Sequence, residues 1–412
     1  MIQYPRTLDT IFNKFYKYNI KPVIVGGYIR DALLKIPSND IDIELYGINS
    51  LEKVEKILQE FGKVNSVGKS FGVCKLTYEG LDLDFSLPRR DNKIASGHQG
   101  FTITVDTNLD FKTAASRRDF TINAIGYDVK NKKILDPYHG REDLNKKILR
   151  AVNDQKFKED PLRVLRAVVF ASRFAMTLDR TLEFTCKEMI KNKLLEELPK
   201  ERIFEEMKKL LLKSSKPSSG FHLLKNLGAF AFFKELSILN NEEYKEVFNA
   251  LDMLKKLPIT NDKEFVILSL AVITSKFSAT QTQIFLQRIT DEKTGTKKVL
   301  QLHTIDFNVD NFNDYDIYTL AQKIDIEFYS YYLHVIKKKK EKIEYLLKRA
   351  KQLHVLHEPI PPIIKGKDLI KLGLQPSKEF SKILHSAYQA QIQNVFKNKS
   401  DALLWIKKNL LF

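Results

Sequence analysis

Three carboxylates alternate with apolar residues in the segment Asp40-Ile41-Asp42-Ile43-Glu44-Leu45. Because side chains in a strand switch face at every residue, Asp40, Asp42 and Glu44 share one face of this predicted strand. Carboxylates about 6–7 Å apart along a strand repel one another, so a purely structural role seldom requires them. Hard divalent cations take oxygen ligands, and neighbouring carboxylates can bridge two of them. The spacing therefore favours a site for a pair of Mg²⁺ ions on this strand.

A diglycine bend precedes the acidic strand. The run Val23-Ile24-Val25 reads as a buried strand that ends on Gly26-Gly27, and residues 28–35 then have helical spacing. Glycines lack a Cβ, so their backbone N–H groups can approach an anion closely, and Arg30 can add a guanidinium fork for phosphate. The alternative is an ordinary strand–helix turn beside a solvated acidic strand. The combination GGxxRD, followed nine residues later by DxD, favours a site for a nucleoside triphosphate with Mg²⁺.

A third carboxylate is available from the next pair of predicted strands. Residues 73–78 and 81–85 alternate around Glu79-Gly80, which predicts a hairpin. Asp82 and Asp84 share one face of the second strand, and either could complete the metal site. We prefer Asp84.

The segment 86–100 is polar, contains glycine and has no periodicity, so we expect a loop beside the site. Such loops often carry charged groups that act only when the loop closes. Arg89 and Arg90 could contact substrate phosphate, and a solvated surface loop is the equally good alternative.

Paired cations open the segment Arg117-Arg118-Asp119-Phe120-Thr121-Ile122-Asn123-Ala124. We predict that Asp119 is a helix N-cap, which would aim the two arginines at a ligand near the helix start. Asn123, one turn further on, could bond a ribose hydroxyl or the backbone.

An acid and an arginine lie three residues apart in Asp160-Pro161-Leu162-Arg163, with Arg166 one turn further. Pro161 fits a first helical turn, so Asp160 and Arg163 would be neighbours on one helix face. One interpretation is a surface salt bridge worth a few tenths of a kcal/mol. The other is that the acceptor and donor together read the edge of a nucleobase.

Composition limits the class of protein. The 412 residues exceed one simple core, and 68 Lys and Arg against 51 Asp and Glu give a net charge of +17. Residues 331–412 hold 17 of those cations against 6 acids. This excess favours a polyanionic partner, and a Lys-rich proteome is the plain alternative. Two distant cysteines, no signal peptide and no uncharged apolar run of about 18 residues predict a cytoplasmic protein without a membrane partner.

The chain from about residue 179 onward has helical periodicity in successive segments. One of them, predicted over residues 328–353, is strongly basic around Lys337-Lys338-Lys339-Lys340. With the alternating strands before it, the pattern predicts an α+β fold with its strands in the first part of the chain and helices in the rest.

Five motifs in this order resemble the bacterial class II tRNA nucleotidyltransferase/poly(A) polymerase family, which includes CCA-adding enzymes. Between residues 23 and 212 they read GGxxRD with DxD, RRDFTINA, DPYxGxxDL, EDPLRxLRA and ERIFEE. The segment GKDLIKLGLQPSKEF at 366–380 resembles the C-terminal part of such enzymes.

The resemblance implies four domains: a small mixed-sheet catalytic head over 1–150, followed by a helical neck over 151–215, a helical body over 216–355 and a helical RNA-binding tail over 356–412. It implies addition of CCA to a tRNA 3′ end from CTP and ATP, with two Mg²⁺ ions. The roles it implies are these: catalysis and Mg²⁺ binding by Asp40 and Asp42; triphosphate and nucleotide binding by Gly26, Gly27, Arg30, Arg118 and Asn123; base templating by Asp160 and Arg163, with Arg166 supporting them. To these the strand pattern adds Asp84 as a third catalytic carboxylate.

Two departures stand out. Family members commonly carry an arginine at the position of Val169, so that polar contact is absent or comes from elsewhere, for example from Arg173. No His-Asp pattern of a phosphohydrolase domain is visible. A poly(A) polymerase, or an enzyme that adds only CC or only A, is the alternative within the family. A non-catalytic RNA-binding protein on the same scaffold is the alternative outside it.

Overall fold

The computed structural model describes residues 2–65, 72–93, 101–106 and 109–410. The chain forms two compact units. The first comprises Met1–Asn240 with Phe285–Asp291, and the second comprises Asn241–Ile284 with Glu292–Phe412. The predicted head and neck therefore fall in one unit, while the proposed four-part division remains a prediction.

A seven-stranded mixed sheet forms the centre of the first unit, in the order β3-β4-β5-β2-β1-β8-β9. The strands of the chain are β1 (Lys21–Val25), β2 (Asp40–Tyr46), β3 (Val64–Asn65), β4 (Val73–Tyr78), β5 (Leu81–Ser86), β6 (Arg89–Lys93), β7 (Phe101–Val105), β8 (Gly126–Asp128), β9 (Lys133–Leu135), β10 (Ile148–Leu149) and β11 (Thr177–Leu178). Strands β2 and β5 run parallel, whereas the other neighbours in this sheet run antiparallel. The mixed sheet and the helices that follow confirm the α+β prediction.

The alternation of β2 places its apolar residues in the core, where Ile41, Ile43 and Leu45 are fully buried. Two amphipathic helices cover the sheet with their apolar faces. One begins at Leu8, and the other begins after the N-cap Ser50, whose hydroxyl accepts a hydrogen bond from the backbone N–H of Lys53. The carboxylates between the isoleucines are thereby left on the opposite face of β2.

The hairpin of β4 and β5 turns at Glu79-Gly80, as predicted. Both residues have positive φ, +49° and +77°, as a two-residue type I′ turn requires. This turn fixes the register, so Lys75 pairs with Asp84 and Thr77 pairs with Asp82.

The irregular loop predicted over 86–100 is wrong in its described part. Strands β6 and β7 pair there as a separate antiparallel ribbon. The alternating, β-branched sequence Phe101-Thr102-Ile103-Thr104-Val105 offers a pairing partner that the polar strand could not have revealed by itself. Residues 94–100 lie outside the described residues.

Helices make up most of the remaining chain. In the first unit they are α1 (Leu8–Lys17), α2 (Gly27–Leu33), α3 (Leu51–Leu58), α4 (Phe111–Ala115), α5 (Gly140–Lys146), α6 (Asp154–Phe157), α7 (Leu162–Phe174), α8 (Arg180–Lys191), α9 (Lys200–Lys213) and α10 (Ser218–Asn226). Helix α7 packs on α9 and α10, and its N-terminal half reaches the head.

The regular secondary structure of the second unit is helical in its described residues. It contains α11 (Asn241–Leu254), α12 (Asp262–Ile273), most of α13 (Ala279–Ile289), α14 (Lys293–Thr304), α15 (Asp314–Ala321), α16 (Ile326–Ile336), α17 (Lys340–Gln352), α18 (Gly366–Lys371), α19 (Lys378–Ile392) and α20 (Lys399–Leu410). The last three enclose a small core that includes Leu369, Phe396 and Ile406. None of the described helices combines the length and apolarity needed to span a bilayer.

The single basic helix predicted over 328–353 is wrong. The structure has two helices, α16 and α17, separated at Lys337–Lys339, where Lys338 adopts a left-handed φ of +56°. Four consecutive lysines repel one another, and a break in the helix lets their side chains diverge into solvent.

Candidate active site

The acidic face of the sheet is graded in exposure along β2. Asp40 at the start of the strand is exposed, Asp42 is half-buried, and Glu44 is buried at 1% exposure. All three side chains project from the same face because they alternate with buried apolar residues. The strand therefore presents two carboxylates at its open end and anchors the third in the protein.

Burial and mutual repulsion act together on the two outer carboxylates. Burial raises the pKa of Asp40, and the nearby charge of Asp84 raises it further. Burial also raises the pKa of Asp42, an effect that Arg118 opposes and Asp40 reinforces. Both groups would ionise more readily with a cation between them.

The choice of Asp84 as the third carboxylate stays a prediction. In the parallel pairing of β2 with β5, Asp84 lies beside Asp42, and its charge acts on both outer carboxylates. Asp82 pairs with Asp40 in register, and its carboxylate accepts a hydrogen bond from the Thr77 hydroxyl at 3.2 Å. The structure also holds a residue that the sequence reasoning missed: Lys75, whose Nζ lies 2.6 Å from the Asp84 carboxylate.

The diglycine bend lies against this face. Gly26 has φ +72°, and a Cβ placed on it would lie 2.7 Å from Nη1 of Arg118 and 3.3 Å from Oδ2 of Asp42. Any side chain here would therefore clash with the cation and crowd the carboxylate. The bend brings Gly26 next to Asp42, as the combined motif predicts, and Arg118 from the separate RRDFTINA segment lies with them.

The paired arginines after α4 both act on the buried Glu44 carboxylate. Arg117 donates to the Glu44 carboxylate at 3.0 Å. Burial opposes ionisation of Glu44, but the guanidinium groups of Arg117 and Arg118 hold its pKa below the usual range. Glu44 therefore serves to fix the arginine pair beside the two outer carboxylates.

The predicted N-cap role of Asp119 is wrong. The backbone around it is extended against residues 150–152, with Phe120 bridged to Ala151. The Asp119 carboxylate instead accepts hydrogen bonds from the Asn123 amide at 2.9 Å and from Nε of Arg166 at 2.8 Å. It links the head to α7.

Arg30 and Asn123 do not lie open to a nucleotide as predicted. Arg30 is 5% exposed. It pairs with Asp31 at 2.7 Å and donates a hydrogen bond to the side-chain amide oxygen of Asn123 at 2.5 Å. Its guanidinium also stacks on the rings of Phe170 and Phe174 of α7, at 5.2 and 4.8 Å from their centroids. These contacts give Arg30 and Asn123 a positioning role beneath the diglycine bend. The sequence offered no signal for this because Asn123 and the two rings of α7 are 93 or more residues away from Arg30.

Asp160 and Arg163 do not form the local salt bridge that helical spacing allows. Two hydrogen bonds join Arg202 of α9 to Asp160, at 2.9 and 3.3 Å. Arg163 donates to the backbone carbonyls of Lys156 and Arg117, at 2.7 and 3.0 Å. Arg202 is a second residue that the sequence reasoning missed, although it lies within the ERIFEE motif.

Arg166 connects three elements. It pairs with Asp119 at 2.6 Å and with Glu206 of α9 at 3.8 Å, and it stacks on Phe170. Burial disfavours its charge, but the two carboxylates keep its pKa above the ordinary value. Its contacts are those of a support for the α7 helix start.

The departure at Val169 has a structural reason. Val169 is 6% exposed and faces the apolar packing of α7 with α9 and α10, which includes Ile203 and Leu210. Arg173 does not replace an arginine there, because it donates to Asp31 at 3.2 Å and stacks on Phe174.

The donor set suits a hard divalent cation at Asp40 and Asp42. Their oxygens share one face, and both carboxylates are destabilised by burial and by repulsion. Within the part of the chain that the structure describes, no three His, Cys, Asp or Glu side chains converge to hold a metal ion. Asp84 is paired with Lys75, so it can act as a third ligand only after leaving that partner.

A mixed sheet that carries alternating aspartates beside a diglycine bend, followed by helices, is the arrangement of a nucleotidyltransferase. Comparison with protein families agrees. Residues 23–150 match the family described as "Poly A polymerase head domain", and residues 175–239 match "Probable RNA and SrmB-binding site of polymerase A". The chain thus contains a poly(A) polymerase head domain and the RNA-binding segment that follows it, which supports the class II tRNA nucleotidyltransferase/poly(A) polymerase family.

Solved structures share the fold over nearly the whole chain. A CCA-adding enzyme in complex with CTP is similar with a TM-score of 0.70 at 20% identity, covering 100% of this chain and 97% of that one. An apo form of a CCA-adding enzyme gives a TM-score of 0.72 at 20% identity, with 99% and 97% covered. A tRNA-processing enzyme gives 0.68 at 21% identity, with 95% and 99% covered.

Proposed function

We propose that this chain adds CCA to the 3′ end of tRNA from CTP and ATP, without a nucleic-acid template. The observation that carries the proposal is the position of Asp40 and Asp42 on one face of β2, beside Gly26 and Arg118. The fold shared with CCA-adding enzymes, including forms in complex with CTP and ATP, supports this choice within the family.

The reaction joins the RNA 3′-hydroxyl oxygen to the α-phosphorus of the nucleotide and breaks the bond to pyrophosphate, and the hydroxyl proton passes to solvent. Two Mg²⁺ ions held at Asp40 and Asp42 would supply the chemistry that activates the hydroxyl and offsets charge on the leaving oxygen. Arg118 stabilises the triphosphate beside the diglycine bend. Because Gly26 has no Cβ, the Arg118 guanidinium can lie against the bend. No covalent intermediate with the protein is required.

Base choice belongs to Asp160 and Arg163 in this proposal. Cytosine and adenine both present an amino donor beside a ring-nitrogen acceptor, which a carboxylate and a guanidinium complement. Asp160 and Arg163 keep free hydrogen-bonding positions for this contact, although Arg202 binds Asp160 and two backbone carbonyls bind Arg163. A carboxylate has about four acceptor positions and a guanidinium five donors, and only some are engaged.

A groove on the first unit suits the phosphate backbone of the RNA. We call it the lysine groove: its rim carries Lys187, Lys191, Lys193 and Lys234, and its floor includes Ile190 and Phe232. It lies within residues 175–239, and the four lysines are exposed. Phosphates neutralised along such a rim give affinity without sequence preference. The basic tail over 356–412 belongs to the second unit and would offer phosphate contacts of its own. We infer that the enzyme acts in the cytoplasm.

The test is incubation with tRNA lacking its 3′ CCA and with each labelled nucleotide, followed by sequencing of the product. The proposal predicts three additions in the order C, C, A. A long A tail would indicate a poly(A) polymerase, and arrest after two C residues or addition of A alone would indicate a partial enzyme. No incorporation at all would indicate an RNA-binding protein.

A further inference from the structure

A single lysine neutralises the third carboxylate of the candidate site. The Nζ of Lys75 on β4 lies 2.6 Å from Oδ2 of Asp84 on β5. The lysine side chain is 56% exposed and that of Asp84 is 24% exposed, so the ion pair faces solvent on the lysine side. No other hydrogen bond from Lys75 Nζ accompanies it among the described residues.

The ion pair belongs to a row of charges across three neighbouring strands. Asp84 is in register with Lys75 on one side and with Asp42 on the other. Register partners on adjacent strands lie about 5 Å apart and project from the same face. The row thus runs from Lys75 through Asp84 to Asp42, with Arg118 at its far end.

We propose that Lys75 competes with the divalent cation for Asp84 and thereby sets the metal affinity of this face. The inference rests on the magnesium site of the proposed function. When a cation binds at Asp40 and Asp42, the Lys75 ammonium leaves Asp84 for solvent, and Asp84 becomes the third oxygen ligand. This explains why three carboxylates share a face without converging on one point.

Release of the Lys75 ammonium from Asp84 costs little free energy, and binding of the divalent cation in its place is favourable. An exposed ion pair contributes at most about 1 kcal/mol, and a flexible lysine stem lets the ammonium reach water without backbone movement. A divalent cation has twice the charge and binds several carboxylate oxygens at once. The same ammonium nevertheless repels an approaching cation, so the wild-type chain should bind metal less tightly than a variant without that charge.

The test measures Mn²⁺ binding to the full chain without nucleotide or RNA, by calorimetry and by the electron paramagnetic resonance signal of free Mn²⁺. We expect K75M to bind Mn²⁺ roughly threefold to tenfold more tightly than wild type. K75R, which keeps the charge, should remain within about twofold of wild type. K53M, which removes an exposed lysine of α3, is the matched control and should leave the affinity unchanged.

Asp84 provides the second arm. D84N should weaken Mn²⁺ binding, and K75M should add little tightening in a D84N background because the two residues act on one contact. In EDTA, K75M should melt at a lower temperature than wild type. Added Mn²⁺ should remove this difference in melting temperature, which also shows that the variant folds.

The proposal is overturned if K75M leaves Mn²⁺ affinity unchanged or weakens it, if K75R tightens binding as K75M does, or if K75M tightens binding equally in the D84N background. Absence of Mn²⁺ binding by wild type also overturns it. A Lys75 that contacts triphosphate instead would raise the KM for nucleotide in K75M with unaltered metal affinity. The Mn²⁺ affinities do not depend on which nucleotides the enzyme adds, so failure of the proposed function is recognised separately.

Discussion

Arg202 and Asp160 form a two-point contact between α9 and the start of α7: Nη2 lies 2.9 Å from Oδ2, and Nη1 lies 3.3 Å from Oδ1. Asp160 also accepts the backbone N–H of Leu162 at 3.1 Å. The orientation of the proposed base-reading carboxylate is therefore set by a residue 42 positions further along the chain.

Replacement of Arg202 should relax nucleotide choice. In R202Q, Asp160 loses its fork of donors, and we expect incorporation of UMP or GMP relative to CMP to rise about tenfold. R202K keeps the charge without the fork and should be intermediate. Single-turnover incorporation with each nucleotide measures the effect, and D160A is the reference for complete loss of the carboxylate. Unchanged selectivity in both variants would contradict this role. If only their melting temperatures fell, the role of Arg202 would be structural.

Replacement of Arg30 should weaken the fold of the first unit. R30M leaves Asp31 buried with one cationic partner fewer and removes two ring contacts to α7. We therefore expect a loss of about 2–4 kcal/mol in the free energy of unfolding. R173M removes the other cationic partner of Asp31. The Arg173 side chain is 26% exposed, so its loss should lower the free energy of unfolding by less. Urea unfolding followed by circular dichroism gives both values. A loss for R30M no larger than for R173M would contradict the buried network.

The thiol of Cys186 should be inert in the folded chain. Burial raises its pKa to about 12, so almost no thiolate exists at pH 8, whereas an unfolded cysteine with a pKa of about 8.5 is partly ionised. The raised pKa favours the folded state below about pH 8.5, and this contribution declines as the pH rises toward 12. In a C74S background, Ellman's reagent should modify Cys186 at pH 8 only as fast as the chain unfolds. Rapid modification under native conditions would show that the site is open.

Affinity for tRNA should depend on salt through the lysine groove. K191Q should weaken binding about twofold to fivefold near 0.1 M salt and reduce the slope of log K against log salt by about one. K53Q, from α3, is the control. A slope identical to that of wild type would locate the RNA contact elsewhere.

Local patterns predicted the catalytic strand and the hairpin beside it. The alternation around Ile41 gave the shared face of Asp40 and Asp42. A two-residue turn at Glu79-Gly80 also fixes the pairing of the flanking strands. Counting outward from this turn places Lys75 opposite Asp84, so the sequence held a signal for that pair.

Distant contacts were beyond such patterns. Arg30 has the right spacing for a phosphate ligand, yet its environment is decided by Asn123 and by the aromatic rings of α7, 93 and 140 or more residues away. Asp119 has the composition of an N-cap, but pairing with residues 150–152 keeps its backbone extended. Tertiary packing overrode local propensity at both positions.

Asp42 is proposed to take part in nucleotidyl transfer and not to be needed for RNA binding. The most direct measurement compares D42N with wild type for incorporation of labelled CMP into tRNA lacking its 3′ end, with the tRNA dissociation constant measured on the same preparations. We predict a loss of incorporation of about a thousandfold or more, with tRNA affinity within about threefold of wild type. Retained incorporation, or a parallel loss of tRNA binding, would contradict the account.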